Sequence, residues 1–149
     1  MTAEGAFSLA NTVALVGWVV LVCFPRRRWA APLVGGAVLP ALFAVAYVGL
    51  LASGIGTSDG GFSTLAAVGR LFADPWLLLA GWVHYLAFDL FIGAWEVRDA
   101  GRNGIRHRWV IPCLVLTFLA GPAGLLAYLV LRTIRRRSVV IEESVPAVA

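Results

Sequence analysis

The stretch 75-PWLLLAGWVHYLAFDLFIGAWEV-97 decides the fold, because it is apolar over a length that crosses a hydrocarbon layer and yet carries His84 and Asp89 near its middle. Spanning a bilayer as a helix takes roughly 20 apolar residues. Three other segments approach that length, at residues 7–24, 33–51 and 109–131. The chain has 149 residues, of which 60% are hydrophobic and only 13% charged, and its mean hydropathy is +0.87. A soluble domain of this size cannot hide so much apolar surface, so lipid must supply the second solvent. The expected architecture is all-α, an integral membrane four-helix bundle forming one domain over residues 1–149.

Charge sets the orientation. All twelve basic residues are arginine, a usage that fits a GC-rich bacterial coding sequence, and the net charge of +4 comes from arginines beside the apolar segments. It therefore speaks for topology and not for nucleic acid. The tight turn 25-PRRRWAAP-32 and the loop 98-RDAGRNGIRHR-108 hold seven arginines and are expected on the cytoplasmic side of an inner membrane. The C-terminal 132-RTIRRRSVVIEESVPAVA-149 adds four more, and four crossings would leave them on the opposite side. Either the two loops outvote this tail, the simpler reading and the one adopted, or the last helix breaks at 121-GPAG-124 and takes a re-entrant course. Residues 138–149 read as a disordered tail.

Between the second and third helices, the mildly amphipathic residues 62–72 suggest a short interfacial helix roofing the bundle, with a flexible loop as the alternative. The N-terminus has no basic residue before the apolar run, so it reads as a retained first helix and not as a cleaved signal. Cys23 and Cys113 lie near arginine-rich flanks, where reducing conditions keep thiols free, and no CxxC pattern suggests zinc. Trp18, Trp29, Trp76 and Trp109 fall at or near segment ends, as interfacial rings do.

On a helix turning about 100° per residue, Trp82, Tyr85, Asp89, Gly93 and Glu96 share one stripe, while Gly81, His84, Phe88, Phe91 and Trp95 share a neighbouring one. Together they make an aromatic face carrying both ionisable groups, each within about 5 Å of the midplane. An aspartate at that depth costs about 2.5–3.5 kcal/mol to insert charged, so it must face the interior, find a partner or bind a proton. Its purely structural role would be an anchor to Asn11, Thr117 or Tyr47 on another helix. His84 and Asp89, five residues apart, diverge by about 140°, so they can cooperate only through a substrate, a water or another helix. Glu96 continues the Asp89 stripe, whereas Arg98 and Asp99 read as an interfacial ion pair at the helix end. In 117-TFLAGPAGLLAYLVLR-132, Pro122 removes a backbone donor and frees carbonyl oxygens near Phe118.

The runs 81-GWVHYLAFDLFIGAWEVRDA-100 and 104-GIRHRWVIPCLVLTFLAGPAGLLAYLVLR-132 resemble the abscisic-acid-deficient-four-like family, whose plant members are linked to neoxanthin synthesis. The resemblance rests most on W-x-H-x-x-x-x-D-L-F, P-C-x-x-x-T-F and G-P-x-G-L-L-x-Y, and it implies a membrane enzyme acting on a carotenoid or related isoprenoid. In the plant reaction an epoxide opens to an allenic alcohol with no change of oxidation level, which requires an acid at the epoxide oxygen and a base for a vinylic proton. His84 and Asp89 are the expected catalytic pair, with Trp82, Tyr85, Phe88, Phe91, Trp95, Glu96, Asn11 and Thr117 as substrate contacts. No metal and no cofactor is expected. The alternatives are a haem protein using His84 as an axial ligand, and a pigment-binding membrane protein without catalysis of its own. Ion transport is disfavoured, because one mid-membrane carboxylate without a continuing polar chain makes a poor relay. Expected partners are an apolar ligand and membrane lipids; Gly35, Gly36, Gly49 and Gly54 would serve a homodimer or packing within one chain equally well.

Overall fold

A computed structural model of the chain describes residues 2–25, 27, 29–30, 33–34, 38–54, 56 and 58–136. Among these it is all-α, with six helices: α1 (Ala3–Cys23), α2 (Val38–Gly54), α3 (Leu65–Leu71), α4 (Pro75–Arg102), α5 (His107–Ala120) and α6 (Pro122–Arg136). Two of them, α1 with 21 residues and α4 with 28, are long and apolar enough to cross a membrane, while α2 and α5 are shorter apolar helices. The expected tail at 138–149, together with Gly35 and Gly36, lies outside the described residues.

Helix α4 is the axis of the molecule. Asp74 caps it by accepting from the backbone N–H of Trp76 at 2.8 Å and of Leu77 at 3.1 Å, and Pro75 occupies the first turn, where its missing N–H costs nothing. The sequence places its end near residue 97, but the helix continues through Arg102. The expected loop at 98–108 therefore shrinks to a turn, closed by a bond from the Ile105 N–H to the Ala100 carbonyl at 2.8 Å, with Gly104 at a φ of 66°. That positive φ is one glycine takes without steric cost, which is why the helix can stop so abruptly.

Helix α1 runs parallel to α4: Phe7 meets Trp82, Trp18 covers Gly93, and the Val22 carbonyl oxygen lies 2.9 Å from His107 Nε2. Close approach needs the missing side chain at Gly93, where a Cβ would stand 2.7 Å from the Trp18 ring. Helix α2 runs antiparallel on the other flank, with Tyr47 against His84 and Gly54 against Leu77. Leu86, Leu90 and Ala94 of α4 bury themselves among Ala14, Leu21, Val34 and Phe43. The short helix suggested within 62–72 is α3, capped by Thr64, whose hydroxyl accepts from the Ala67 N–H at 3.1 Å.

The largest departure from the sequence reading is at the C-terminal end. A single crossing helix was expected over 109–131; instead the chain turns back on itself at Gly121. Helix α5 rises beside α4 from His107 until Gly121 meets Asp89, and α6 then descends so that Arg135 stacks 4.8 Å from the Trp109 ring centroid and Arg136 reaches Asn103. Both legs of this hairpin thus begin and end at the arginine-rich end of α4, which removes the conflict between the C-terminal arginines and the two basic loops. The turn is possible because Gly121 adopts a φ of 37° and Pro122 cannot continue the hydrogen-bond ladder of α5. Gly124 completes it, since a Cβ there would overlap the backbone and hydroxyl of Thr117.

Replacing Gly124 by Ala should therefore force the legs apart and cost about 1–3 kcal/mol of stability. Gly49→Ala, where nothing lies within 4 Å of the added methyl, should be neutral or slightly stabilising. Thermal unfolding of the two variants in detergent compares them; equal midpoints would rule out the tight hairpin turn.

Candidate functional site

Tyr85 and the carboxyl groups of α4 fall on its inward stripe, and the hairpin meets them turn by turn. Tyr85 donates its hydroxyl to the Phe118 carbonyl oxygen at 3.4 Å, the oxygen that Pro122 leaves without a helical donor. One turn on, Asp89 is 7% exposed and lies under the Gly121 turn, where a Cβ on Gly121 would sit 2.8 Å from its Oδ1. Glu96 is fully buried and accepts from the Thr117 hydroxyl at 3.0 Å. Asp99 Oδ2 accepts from the Tyr128 hydroxyl at 2.6 Å and from Arg132 Nε at 2.8 Å. At the end of the series Arg136 donates to Asn103 at 2.6 Å.

Three buried polar atoms lack a partner among the described residues: Asp89 Oδ2, Glu96 Oε2 and Trp18 Nε1. Trp18 packs on Gly93, between the turns that carry the two carboxyl groups, and its ring meets Phe118 edge-on at 5.6 Å. A buried polar group without a partner costs about 1–3 kcal/mol, so the two carboxyl oxygens single out this part of α4 as the candidate site.

Above the hairpin turn, the same stripe opens into a cleft of about 600 Å³ lined by Phe7, Phe72, Leu78, Gly81, Trp82 and Tyr85. Asn11 fixes one wall: its Oδ1 accepts from Trp82 Nε1 at 3.0 Å while its Nδ2 donates to the Phe7 carbonyl at 3.0 Å. Tyr85 lines this cleft and its hydroxyl also contacts the Asp89 carboxyl, so the phenol links the apolar space to the buried acid.

His84 is placed elsewhere. It packs against Tyr47 at 5.4 Å and Phe88 at 4.6 Å and lines a second cleft of about 250 Å³ with Leu51, Phe62 and Leu77. Phe72 and Gly81 line both clefts, so the Phe72 ring is the wall between His84 and Tyr85. Phe88 and Phe91, expected as substrate contacts, face outward at 58% and 44% exposure. Trp95 instead meets the Tyr128 ring edge-on at 5.5 Å, and Glu96 and Thr117 bind each other. Trp82 and Tyr85 are the two expected contacts that line the larger cleft, and Asn11 holds one of them.

Asp99 is not the interfacial helix end that the sequence suggested: it is an interior carboxylate whose shortest contacts, to Tyr128 and Arg132, come from α6. Sequence reasoning missed Tyr128 and Arg132, although their i, i+4 spacing on α6 places them on one helix face. Cys23 and Cys113 are free thiols. Among the described residues no group of three or more His, Cys, Asp or Glu side chains is placed to hold a metal ion. His84 lies near the middle of α4, whereas His107 opens α5 beyond the arginine-rich end of α4 and meets the Val22 carbonyl, so one chain cannot offer both to a single haem.

An all-α chain with membrane-length helices, an apolar cleft and a buried acid beneath it is the class that fold and site define. Residues 5–128 match the ABA4-like family, described as ABA DEFICIENT 4-like, and the chain belongs to that family. No curated protein and no solved structure matches it. The matched region contains Tyr85, Asp89, Glu96, Asp99, Gly121 and Tyr128.

Removing one member of the buried ion pair, by Asp99→Leu or Arg132→Met, should lower stability by about 3–5 kcal/mol, because the remaining buried charge loses its nearest opposite charge. The double variant Asp99→Leu with Arg132→Met should recover much of that loss. Unfolding midpoints of the three proteins measure the coupling, and additive losses would show that the pair does not hold the hairpin.

Proposed function

We propose that the protein is an integral membrane enzyme that isomerises a carotenoid or a related oxygenated isoprenoid, with Asp89 transferring the proton. The observation that carries this reading is the sequence of groups along one stripe of α4: an apolar cleft, then Tyr85, then a buried carboxyl with an unpartnered oxygen. Membership of the ABA4-like family agrees with it. The lengths of α1 and α4 and the gathering of arginines at one end support a multi-pass inner-membrane protein with residues 25–32 and 98–108 toward the cytoplasm. In that frame α2 is a further crossing and the α5–α6 hairpin enters from the cytoplasmic side, reaches the midplane and returns.

The cleft volume is that of a site for one small ligand, about 300–1,000 Å³. It encloses the cyclic end group of a long polyene, whose chain then lies along the lipid-facing side of α1 and α4. Opening an epoxide to an allenic alcohol adds a proton at oxygen and removes one from the vinylic carbon, with no atom gained overall. Asp89 is the buried acid nearest the cleft, and Tyr85 is the group in contact with it that also touches the ligand space. His84 enters the reaction only for an end group that displaces Phe72, because that ring lies between the two clefts. A second reading has one observation in its favour: Asp89 Oδ1 packs under the Gly121 turn, as a purely structural anchor in a pigment- or haem-binding scaffold would.

Co-expression with carotenoid-producing enzymes, followed by chromatography of the pigments, separates the two. Asp89→Asn should lower product formation at least about a hundredfold while pigment still co-purifies, Tyr85→Phe should reduce it less, and His84→Ala least. Unchanged products from a folded Asp89→Asn protein would remove the catalytic assignment and leave the binding scaffold.

A further inference from the structure

At the arginine-rich end, the turn between α4 and α5 and the last turn of α6 enclose a cavity of about 490 Å³ lined by Asn103, Gly104, Arg106, Arg108, Trp109 and Arg135. Among the described residues, three guanidinium groups and no carboxylate contribute to its lining. The geometry of the wall is specific: Arg108 and Arg135 both lie over the Trp109 ring, at 5.5 and 4.8 Å from its centroid. Among the described residues, the ion pairs of Asp99 are made with Arg102 and Arg132, not with the arginines of the cavity. Arg136, the neighbour of Arg135, is engaged by Asn103. Helix α5 starts at this cavity without a side-chain cap, so the positive end of its dipole adds to the same field.

We propose that this cavity is a binding site for a phosphate group, held by Arg106, Arg108 and Arg135. Planar guanidinium groups match phosphate oxygens in pairs, and aromatic stacking holds two of these arginines in place. A phosphate ester on an anionic phospholipid and free inorganic phosphate share this chemistry. The lipid is the better fit to the surroundings, because α6 also exposes an apolar row, Leu126, Val130 and Ile134, along which acyl chains can lie. Either way the ligand ties the α4–α5 turn to the end of α6, so its binding stabilises the closed hairpin. The proposal does not depend on the reaction assigned to the cleft at the other end of α4.

The test uses the full chain purified in detergent, with thermal unfolding followed during separate additions of phosphatidylglycerol, phosphatidylcholine and inorganic phosphate. Phosphatidylglycerol should raise the midpoint in a saturable way and phosphatidylcholine should not. Arg108→Gln and Arg135→Gln should each raise the half-saturating concentration by roughly fivefold, the weight of one arginine at an anionic surface. Arg27→Gln, outside the cavity, should leave it unchanged. A rise with both phosphatidylglycerol and inorganic phosphate supports a general phosphate site, and a rise with phosphatidylglycerol alone supports the lipid headgroup. An equal response to phosphatidylcholine, or an anionic-lipid response that persists in both variants, overturns the proposal. Native mass spectrometry of the unmutated protein gives a readout that needs no variant: failure to retain phosphatidylglycerol in preference to phosphatidylcholine, together with no shift by phosphate, also overturns it.

Discussion

The Asp99 carboxylate, 2% exposed near the end of α4, takes the Arg132 guanidinium at 2.8 Å and the Tyr128 hydroxyl at 2.6 Å, and the position of the whole α5–α6 hairpin follows from those bonds. In the bilayer proposed for this protein, two helices gain little from burying leucine against leucine, so association depends on close packing and polar contacts. The hairpin has both. Gly124 lets its legs close on Thr117; Thr117, Tyr128 and Arg132 each find an oxygen on α4, and Arg136 finds one on Asn103, which caps that helix. A buried pair of charges is a weak source of net stability, but it gives the turn after residue 121 its direction, since Arg132 meets the Asp99 carboxylate only in the folded-back arrangement.

This constraint also builds the site. At 14 residues, α5 rises about 21 Å, roughly half of the 42 Å or so of α4, so the hairpin turn arrives at the middle of α4 and not at its end. Gly121 thereby comes to rest on Asp89, and the Phe118 carbonyl comes within reach of Tyr85. Below the turn the inward stripe of α4 is covered by helix; above it the stripe is left open and becomes the cleft walled by Phe7, Trp82 and Phe72. An acid at the boundary between covered and open halves is shielded from water yet one side chain away from a ligand. That boundary position, more than burial alone, makes Asp89 the centre of the functional proposal.

Much of this was legible in the sequence, and the failures share a physical cause. The all-α class, the short helix between 62 and 72, the inward stripe from Trp82 to Glu96 and the carbonyl freed by Pro122 follow from local rules of periodicity, capping and proline chemistry. Periodicity gives the direction in which a side chain points but not which element covers it, so His84 and Asp89 looked like tenants of one aromatic face while Phe72 separates their clefts. Asp99 and Arg132 are 33 residues apart, and nothing local tells that they meet. Read alone, Asp99 beside Arg98 suggests an interfacial helix end, and Gly121–Pro122 permits either a kink or a reversal. Only the charge balance, with arginines stranded on the wrong side by a fourth crossing, favours reversal, and seven arginines in two loops outnumber the four in the tail.

The central claim is that the chain after residue 121 turns back toward the end from which α5 came. Single cysteines introduced as Gly101→Cys and Arg136→Cys, in a protein lacking Cys23 and Cys113, can be labelled with a membrane-impermeant maleimide in vesicles of known orientation. Both positions should label from the same, arginine-rich side, before the membrane is permeabilised. Labelling of position 136 only from the side opposite to position 101 would mean that the last helix crosses, and the hairpin, its buried ion pair and the site beneath its turn would fall together.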